Sequence, residues 1–393
     1  MTLHVPTSED EVAGLVAEAV ASRTLLCVCG GDTKAGIGRP AQTQATLSTR
    51  ALAGITLYEP AELVIGARAG TPVAEVEAAL GEKGQRLAFE PPDLRALMGS
   101  AGTPTIGALA AANLSGPRRI QAGAARDALI GVRFVNGRGE AIKNGGRVMK
   151  NVTGLDLVKL QAGAYGTLGV LTEVIFKVLP VPQRTATLVY SGLDDVSGVA
   201  ALCAALGSPF EATGAAHLPG ADGEGARTLV RIEGFDASVT YRLGELRRLL
   251  ADYGEPAIVE GADGEGIWRG VRDVAPLVTP ADRAVWRIST APTRGPALVA
   301  AIAAETDARA LYDWGGGLVW LAVEASAAAA DLVRRATRAH GGYATLIRAP
   351  ADLRAAIDVF EPLSEPLMRI TKGIKTSIDP HGIFNPGRMY AGV

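Results

Sequence analysis

Four glycine-rich segments between residues 29 and 170 carry the residues best suited to chemistry. They are Cys29-Gly30-Gly31-Asp32-Thr33-Lys34; Thr103-Pro104-Thr105-Ile106-Gly107-Ala108 with Asn113-Leu114-Ser115-Gly116-Pro117-Arg118-Arg119; Gly145-Gly146-Arg147-Val148-Met149-Lys150-Asn151; and Gly163-Ala164-Tyr165-Gly166-Thr167-Leu168-Gly169-Val170. Glycine lets the backbone approach a ligand closely and adopt positive φ. Each segment can therefore offer several N–H groups to an anion, pyrophosphate above all. A hydrogen bond to a charged group contributes about 1.5–3 kcal/mol, so four give on the order of 6–12 kcal/mol before ordering costs. With ring burial, that suffices to hold a dinucleotide without a covalent link. Any one segment alone reads as a turn; four together predict a binding cleft.

The common nucleotide motifs fit poorly. Gly30 to Lys34 lacks the G-x-x-x-x-G-K-[ST] spacing of a phosphate loop, and Gly163, Gly166 and Gly169 are not G-x-G-x-x-G. Gly261, Gly264 and Gly266 follow no strand signal. A kinase, an ATPase and a nicotinamide enzyme of doubly wound fold are thereby disfavoured. The three cysteines, Cys27, Cys29 and Cys203, are odd in number and form no C-x-x-C, so neither a disulfide framework nor an iron–sulfur or zinc site is expected from this chain alone. Cys27 and Cys29 read as small buried hydrophobes on one strand face. The four histidines, His4, His217, His340 and His381, are scattered, which leaves no histidine-built metal site. His217 reads as a loop residue and His381 as part of a turn.

These segments need a scaffold, and 393 residues suggest two or three domains. The net charge of −2 argues against a general nucleic-acid binder. Glycine, 48 residues, is well above the usual ~7%. The first residues lack the basic start and apolar core of a secretory signal, no run approaches a membrane span, and a cytoplasmic location is expected. The N-terminal half alternates short strands and helices: a helix after Thr7-Ser8-Glu9, a strand at 25–29, a strand from Leu63 and a helix to about Gly81. An Asn136-Gly137 hairpin follows 129–135, and a strand runs from Val170 to Leu179. Pro180-Val181-Pro182 marks a boundary. Beyond it, strands at 185–190, 228–233, 285–289 and 318–323, with helices at 238–253 and 326–340, predict an α+β sandwich. Asp222-Gly223-Glu224-Gly225 and Asp263-Gly264-Glu265-Gly266 read as surface loops. Residues 365–378 read as a last helix. The expected division is 1–180, 183–350 and a returning segment 351–393.

The ordered set V-x-G-G-D-T-K (from Val28), A-R-A-G-T-P (from Ala67), F-E-P-P (from Phe89), T-I-G-A (from Thr105), N-L-S-G-P-R-R (from Asn113), R-D-A-L-I-G (from Arg126), G-G-R-V-M-K-N-V-T-G-L-D-L (from Gly145) and G-T-L-G-V-L-T-E (from Gly166) resembles the vanillyl-alcohol-oxidase, or PCMH-type, FAD-binding domain. The ending I-D-P-H-G-I-F-N-P-G-R-M-Y is similar to that of its FAD-linked oxidase branch. With Trp286-Arg287-Ile288-Ser289 and Asp313-Trp314-Gly315-Gly316, the set is similar to the FAD-binding subunits of glycolate-oxidising complexes. The resemblance implies an α+β fold: a two-subdomain PCMH-type FAD-binding domain and an α+β sandwich cap. It implies that Gly30, Gly31, Asp32, Thr33 and Lys34 wrap the pyrophosphate, and that Thr105, Ile106, Gly107, Ala108, Asn113, Ser115 and Gly116 form the facing wall. Asp127, Gly166, Thr167, Gly169, Val170 and Asn385 complete the cofactor set. Covalent members carry a histidine near the first loop, where this chain has Asp32, so dissociable FAD is expected.

Oxidation of a 2-hydroxy acid needs a base, a cation for the carboxylate and a flavin to take hydride. Arg118, Arg119, Arg287, Arg369 and Arg388 are candidate cations, with Arg119 and Arg287 the catalytic candidates; Asp313 and Tyr390 are the candidates for the base. Hydroxy-acid-oxidising relatives carry a metal-binding histidine cluster in the cap, which is missing here. That favours a subunit partnered by a homologous catalytic flavoprotein and an iron–sulfur subunit, held through them at the inner face of a membrane. The alternative is a self-sufficient FAD oxidoreductase of a small hydroxy acid or alcohol.

Overall fold

A computed structural model describes residues 2–146, 154–220 and 225–393. The expected loop at 222–225 and the Arg147–Asn151 part of the third glycine segment lie wholly or largely outside these residues. The N-terminal helix, Glu9–Ser22, starts where the sequence places it. The Ser8 side chain accepts a hydrogen bond from the Glu11 amide, and three acids fill the first turn against the helix dipole. Val12, Val16 and Ala19 recur on one face and pack on Leu26, Val28, Leu47 and Phe384. The strands beneath are Thr2–His4, Ala45–Ser48 and Leu26–Cys29, all parallel, with Ala45–Ser48 central.

A second sheet of five antiparallel strands runs in the order Ile55–Glu59, Val64–Arg68, Val170–Lys177, Leu129–Val135, Ala141–Gly145. The last two strands are the expected hairpin. Asn136 closes its turn by accepting hydrogen bonds from the Arg138 and Glu140 amides. The helices Val73–Gly81 and Ile106–Ala112 bury Val76, Leu80, Ile106 and Leu109 with this sheet's core.

Eight antiparallel strands form the third sheet: Ala257–Glu260, Arg184–Ser191, Arg227–Gly234, Gly214–Leu218, Arg309–Asp313, Leu318–Val323, Ala284–Ser289 and Tyr343–Arg348. Helices Asp195–Leu206, Asp236–Leu249, Gly295–Ala303 and Ala327–Ala339 pack against it. Two expectations fail here. Asp263 to Gly266 is no loop but part of the helix Gly261–Arg272; Gly264, Trp268 and Val271 bury one face, and the Trp268 Nε1 donates to Thr187 Oγ1, which outweighs the turn-forming chemistry of the Asp-Gly pairs. His217 is no loop residue but sits buried in the strand Gly214–Leu218, paired with Tyr312 where the two halves of the sheet meet. Its Nδ1 lies 2.9 Å from Thr228 Oγ1 and its Nε2 3.2 Å from Asp195 Oδ1, while the Tyr312 hydroxyl donates to Asp195 Oδ2. Full satisfaction of its polar atoms lets a histidine replace an apolar core residue.

The last helix, Glu365–Ile378, has the expected bounds. From it the chain returns to the first sheet. The Lys375 ammonium is buried, donates to the carbonyls of Thr167 and Phe384, and pairs with Asp379 at 2.9 Å. Asp379 accepts from the amides of Ile383 and Phe384. Phe384 then bridges Leu26 in parallel. No helix among the described residues is long and apolar enough to cross a membrane.

Candidate functional site

A cavity of about 310 Å³ opens between the first sheet, the helix Ile106–Ala112 and the returning C-terminal segment, a size usual for ligand sites. One wall is the loop after the strand Leu26–Cys29. Three of its carbonyls already have donors: Gly30 the Ser48 hydroxyl, Thr33 the Ser100 hydroxyl, and Lys34 the Arg388 guanidinium. The amides of Gly31, Asp32, Thr33 and Lys34 donate to no other described residue. Asp32 adopts φ +61°, a left-handed conformation that Asp tolerates and that turns successive N–H groups to one side.

The lining is cationic. Lys34, Arg39, Arg354 and Arg388 face it, against Asp32 as the acidic lining residue. Burial lowers the pKa of Lys34, Arg354 and Arg388, as expected for cations whose bonds go to carbonyl and hydroxyl oxygens rather than to a carboxylate. Beside Gly30, the Thr105 hydroxyl is buried without a hydrogen-bond partner among the described residues. Free amides and surplus cations are two separate demands for an anionic, hydrogen-bonding occupant, and the orphaned Thr105 hydroxyl stands behind Gly30 in the same wall.

Gly30, Asp32, Thr33, Lys34, Gly107, Ala108, Gly166, Gly169 and Asn385 line this cavity. Gly31 stands behind the loop: a side chain there would overlap the Thr103 carbonyl, so its role is close packing of the loop, not open space for phosphate. Ile106 and Val170 belong to the hydrophobic core instead. Asn113 and Ser115 accept from the amides of Arg126 and Ala125, and Asp127 from that of Ala124. Gly116 takes the Trp314 indole on its carbonyl, and the Thr167 hydroxyl donates to Ala164. These residues shape loops around the cavity rather than lining it. Asn385 does both, since its amide joins Val28, Tyr165 and Gly166. Sequence reasoning missed Arg39 and Arg354, which reach the cavity only through tertiary packing. Cys27 and Cys29 alternate with buried Leu26 and Val28 and so face the cavity, not the core. Burial pushes the Cys29 thiol up to about 11, far from the thiolate needed for a covalent link.

A second cluster lies where the eight-stranded sheet meets Glu90 and Gly116–Arg119. Arg231 pairs with Glu90 at 2.9 Å, and Arg118 bridges Glu90 at 3.3 Å and Glu233 at 2.6 Å. Arg86 is a second arginine on Glu233, at 2.9 Å. Burial alone would raise the Glu233 carboxyl, but the Arg118 hydrogen bonds and the charges of Arg231, Arg118 and Arg86 hold it far below the usual carboxylate range. Arg118 is therefore committed to structure. Arg119 and Arg287 are not: their guanidinium carbons lie 4.5 and 5.1 Å from the centroid of Trp314. Trp314 itself is held at φ +53°. Asp313 caps this turn by accepting from the Trp314 amide, and burial pushes its carboxyl up to about 7. Arg369 is exposed on the last helix, and Tyr390 packs against Phe360.

The two-part α+β cradle and its anion-seeking cavity define a PCMH-type FAD-binding fold. The model of the FAD binding domain family matches residues 3–145. The chain is 36% identical to the glycolate oxidase subunit GlcE of Escherichia coli, over 96% of this chain and 95% of that protein. It is 39% identical to the glycolate oxidase subunit GlcD of Bacillus subtilis over 27% of this chain and 22% of that one. Among solved structures, 4-ethylphenol oxidase from Gulosibacter chungangensis superposes with a TM-score of 0.75 at 15% identity, over 99% of this chain and 89% of that one. Alkyldihydroxyacetonephosphate synthase gives 0.70 at 17%, over 98% and 76%. The chain belongs to the family of FAD-linked oxidoreductases that includes the glycolate oxidase subunit GlcE.

Proposed function

We propose that this chain is the FAD-carrying subunit of a complex that oxidises glycolate, or a closely related 2-hydroxy acid. The similarity to GlcE from end to end is the observation that carries this reading. The cavity supports it. Amides of Gly31 to Lys34 and the cations Lys34 and Arg388 would hold the pyrophosphate, and Thr105 would supply a further bond. Bound FAD would supply the two-electron acceptor that no side chain here provides. The protonated thiols of Cys27 and Cys29, both raised by burial, favour a dissociable cofactor.

A homologous GlcD-type flavoprotein and an iron–sulfur subunit are the partners we propose, in a cytoplasmic complex held at the inner face of the membrane through them. We read residues 1–180 with the returning 351–393 as the FAD-binding part and 183–350 as the cap. The purified protein should be yellow, and acid precipitation should leave the colour in the supernatant; a yellow pellet refutes dissociable FAD. Anaerobic mixing with glycolate tests the division of labour. A flavin band that persists until the partner subunits are added supports a relay role. Rapid bleaching in the isolated chain supports a self-sufficient oxidoreductase instead.

A further inference from the structure

Among the described residues, half-buried arginines almost always have an oxygen partner. Arg86, Arg118 and Arg272 hold carboxylates, and Arg354 and Arg388 hold carbonyls. Arg119 and Arg287 differ. Both are half-buried, and neither bonds to a carboxylate or a carbonyl. They approach one indole, so their charges lie within about 10 Å of each other, roughly one Debye length at moderate salt. Two like charges, partly desolvated and unpaired, are costly to hold together. The surrounding chain nevertheless holds them. Arg287 projects from the strand Ala284–Ser289 on the face opposite the buried Trp286, while Arg119 opens a short helix on the other side of the seam.

Trp314, the surface they share, is held in place from both sides. A bulky residue at φ +53° is uncommon and costs conformational energy. It persists because the Asp313 carboxylate accepts from its amide and its indole N–H donates to the Gly116 carbonyl at 3.1 Å. The strained turn thus binds the eight-stranded sheet to the loop that carries Arg119. Tyr165, which lines the cofactor cavity, is close enough for its charge state to couple to Arg287. Trp314 and Tyr165 pack against one hydrophobic cluster, whose member Ala112 also lines the cavity, so the arginine pair is joined to the cavity wall through that packing, and its unmet need is for an anion that can accept from two guanidinium groups.

We propose that Arg119 and Arg287, presented by Trp314, form the clamp for the carboxylate of the 2-hydroxy acid, one arginine from each side of the seam. The assignment of the substrate as an acid rests on the function proposed above; the clamp itself rests on the arginine geometry. A planar carboxylate has two oxygens and can accept from both guanidinium groups at once. The hydroxyl-bearing carbon is then oriented by groups that come from separate sheets, so a clamp of this kind also reports whether the seam is closed. A neutral diol offers no such pairing.

The test uses the flavin-loaded protein and calorimetric titration with oxalate, a carboxylate that cannot be oxidised as a hydroxy acid, with 1,2-ethanediol as the neutral control. The wild type should take up oxalate and not the diol. Arg119→Met and Arg287→Met should each weaken oxalate binding at least about tenfold, as expected for loss of a charge-assisted pair, with the flavin-to-protein ratio unchanged. Arg287→Lys, which keeps the charge and the packing, should fall between. Oxalate affinity unchanged in the double Arg→Met variant overturns the clamp, as does a flavin-loaded wild type that takes up no oxalate. A wild type that never carries flavin overturns the functional reading instead, and the arginine dependence of oxalate binding still decides the clamp, because calorimetry does not need the flavin colour.

Discussion

The glycine-lined cavity and the charged seam are both polar interiors, built on opposite plans. The cavity is made chiefly of main chain. Its loop ties carbonyls to Ser48, Ser100 and Arg388 and leaves the amides of Gly31 to Lys34 without a partner among the described residues. The Glu90–Arg231–Arg118–Glu233–Arg86 seam is made of side chains whose charges satisfy one another. A site whose polar groups are unsatisfied within the chain is waiting for a ligand, whereas a network that closes on itself is a fastener. The two should therefore fail differently. The cavity is vulnerable to an added Cβ and the seam to a lost charge. Arg119 and Arg287 lie at the seam but follow the logic of the cavity.

The largest effect on flavin binding should come from Gly31→Val. The new side chain would overlap the Thr103 carbonyl and push the loop away from the cavity. Flavin content, read as the ratio of 450 to 280 nm absorbance, should fall by roughly tenfold or more, equivalent to at least about 1.4 kcal/mol of lost binding. A flavin content like the wild type would show that this loop does not hold the cofactor. Next is the seam. Glu90→Gln strips the charge that faces Arg231 and Arg118, so unfolding in urea should reveal a loss of about 3–5 kcal/mol. Flavin retention should survive at temperatures where the variant is folded. If Glu90→Gln loses flavin without losing stability, the seam serves the cofactor and is not merely a fastener.

Asp313 predicts a pH dependence. Burial raises its carboxyl to about 7, with the Glu90 charge adding and the charges of Arg231 and Arg287 opposing. The folded state therefore binds this proton more tightly than the unfolded chain does. The resulting stability is complete below about pH 4 and is lost as pH rises toward and through 7, by about 1.4 kcal/mol for each tenfold difference in proton affinity between the two states. Asp313→Asn keeps the acceptor for the Trp314 amide and removes the titration. It should melt higher than the wild type at pH 8 and alike at pH 4; equal melting points at both would place the carboxyl near its ordinary value. The smallest effect on the empty protein should come from Thr105→Val. Its hydroxyl has no partner, so stability without flavin should stay within about 1 kcal/mol of wild type or rise. FAD affinity should drop by about fivefold, measured by flavin fluorescence quenching; an unchanged affinity would mean that the hydroxyl is not addressed to the cofactor.

Much of this molecule can be read from local patterns. Ser8 and its following acids mark a helix start, Asn136-Gly137 marks a hairpin, and the bounds 365–378 of the last helix follow from apolar spacing with a proline near its start. Such signals are short-range, because capping, turn geometry and periodicity act over a few residues. The glycine loops are legible for the same reason, since close backbone approach leaves few alternatives to glycine. Asp263 to Gly266 shows where local chemistry is overruled: burial of Trp268 stabilises a helix that its glycines would weaken.

Sequence thus carried the element types, the glycine loops and the need for an anionic ligand, because each depends on neighbours a few residues away. Which side chains meet across the chain was settled by packing. Only folding brings Arg354 and Arg388 to the loop at Gly30, pairs Arg118 with Glu233, and lays Arg119 and Arg287 on one indole. All of those contacts but that of Arg287 with Trp314 join residues more than a hundred positions apart, and their energies depend on distance and desolvation, which a linear order of residues does not encode.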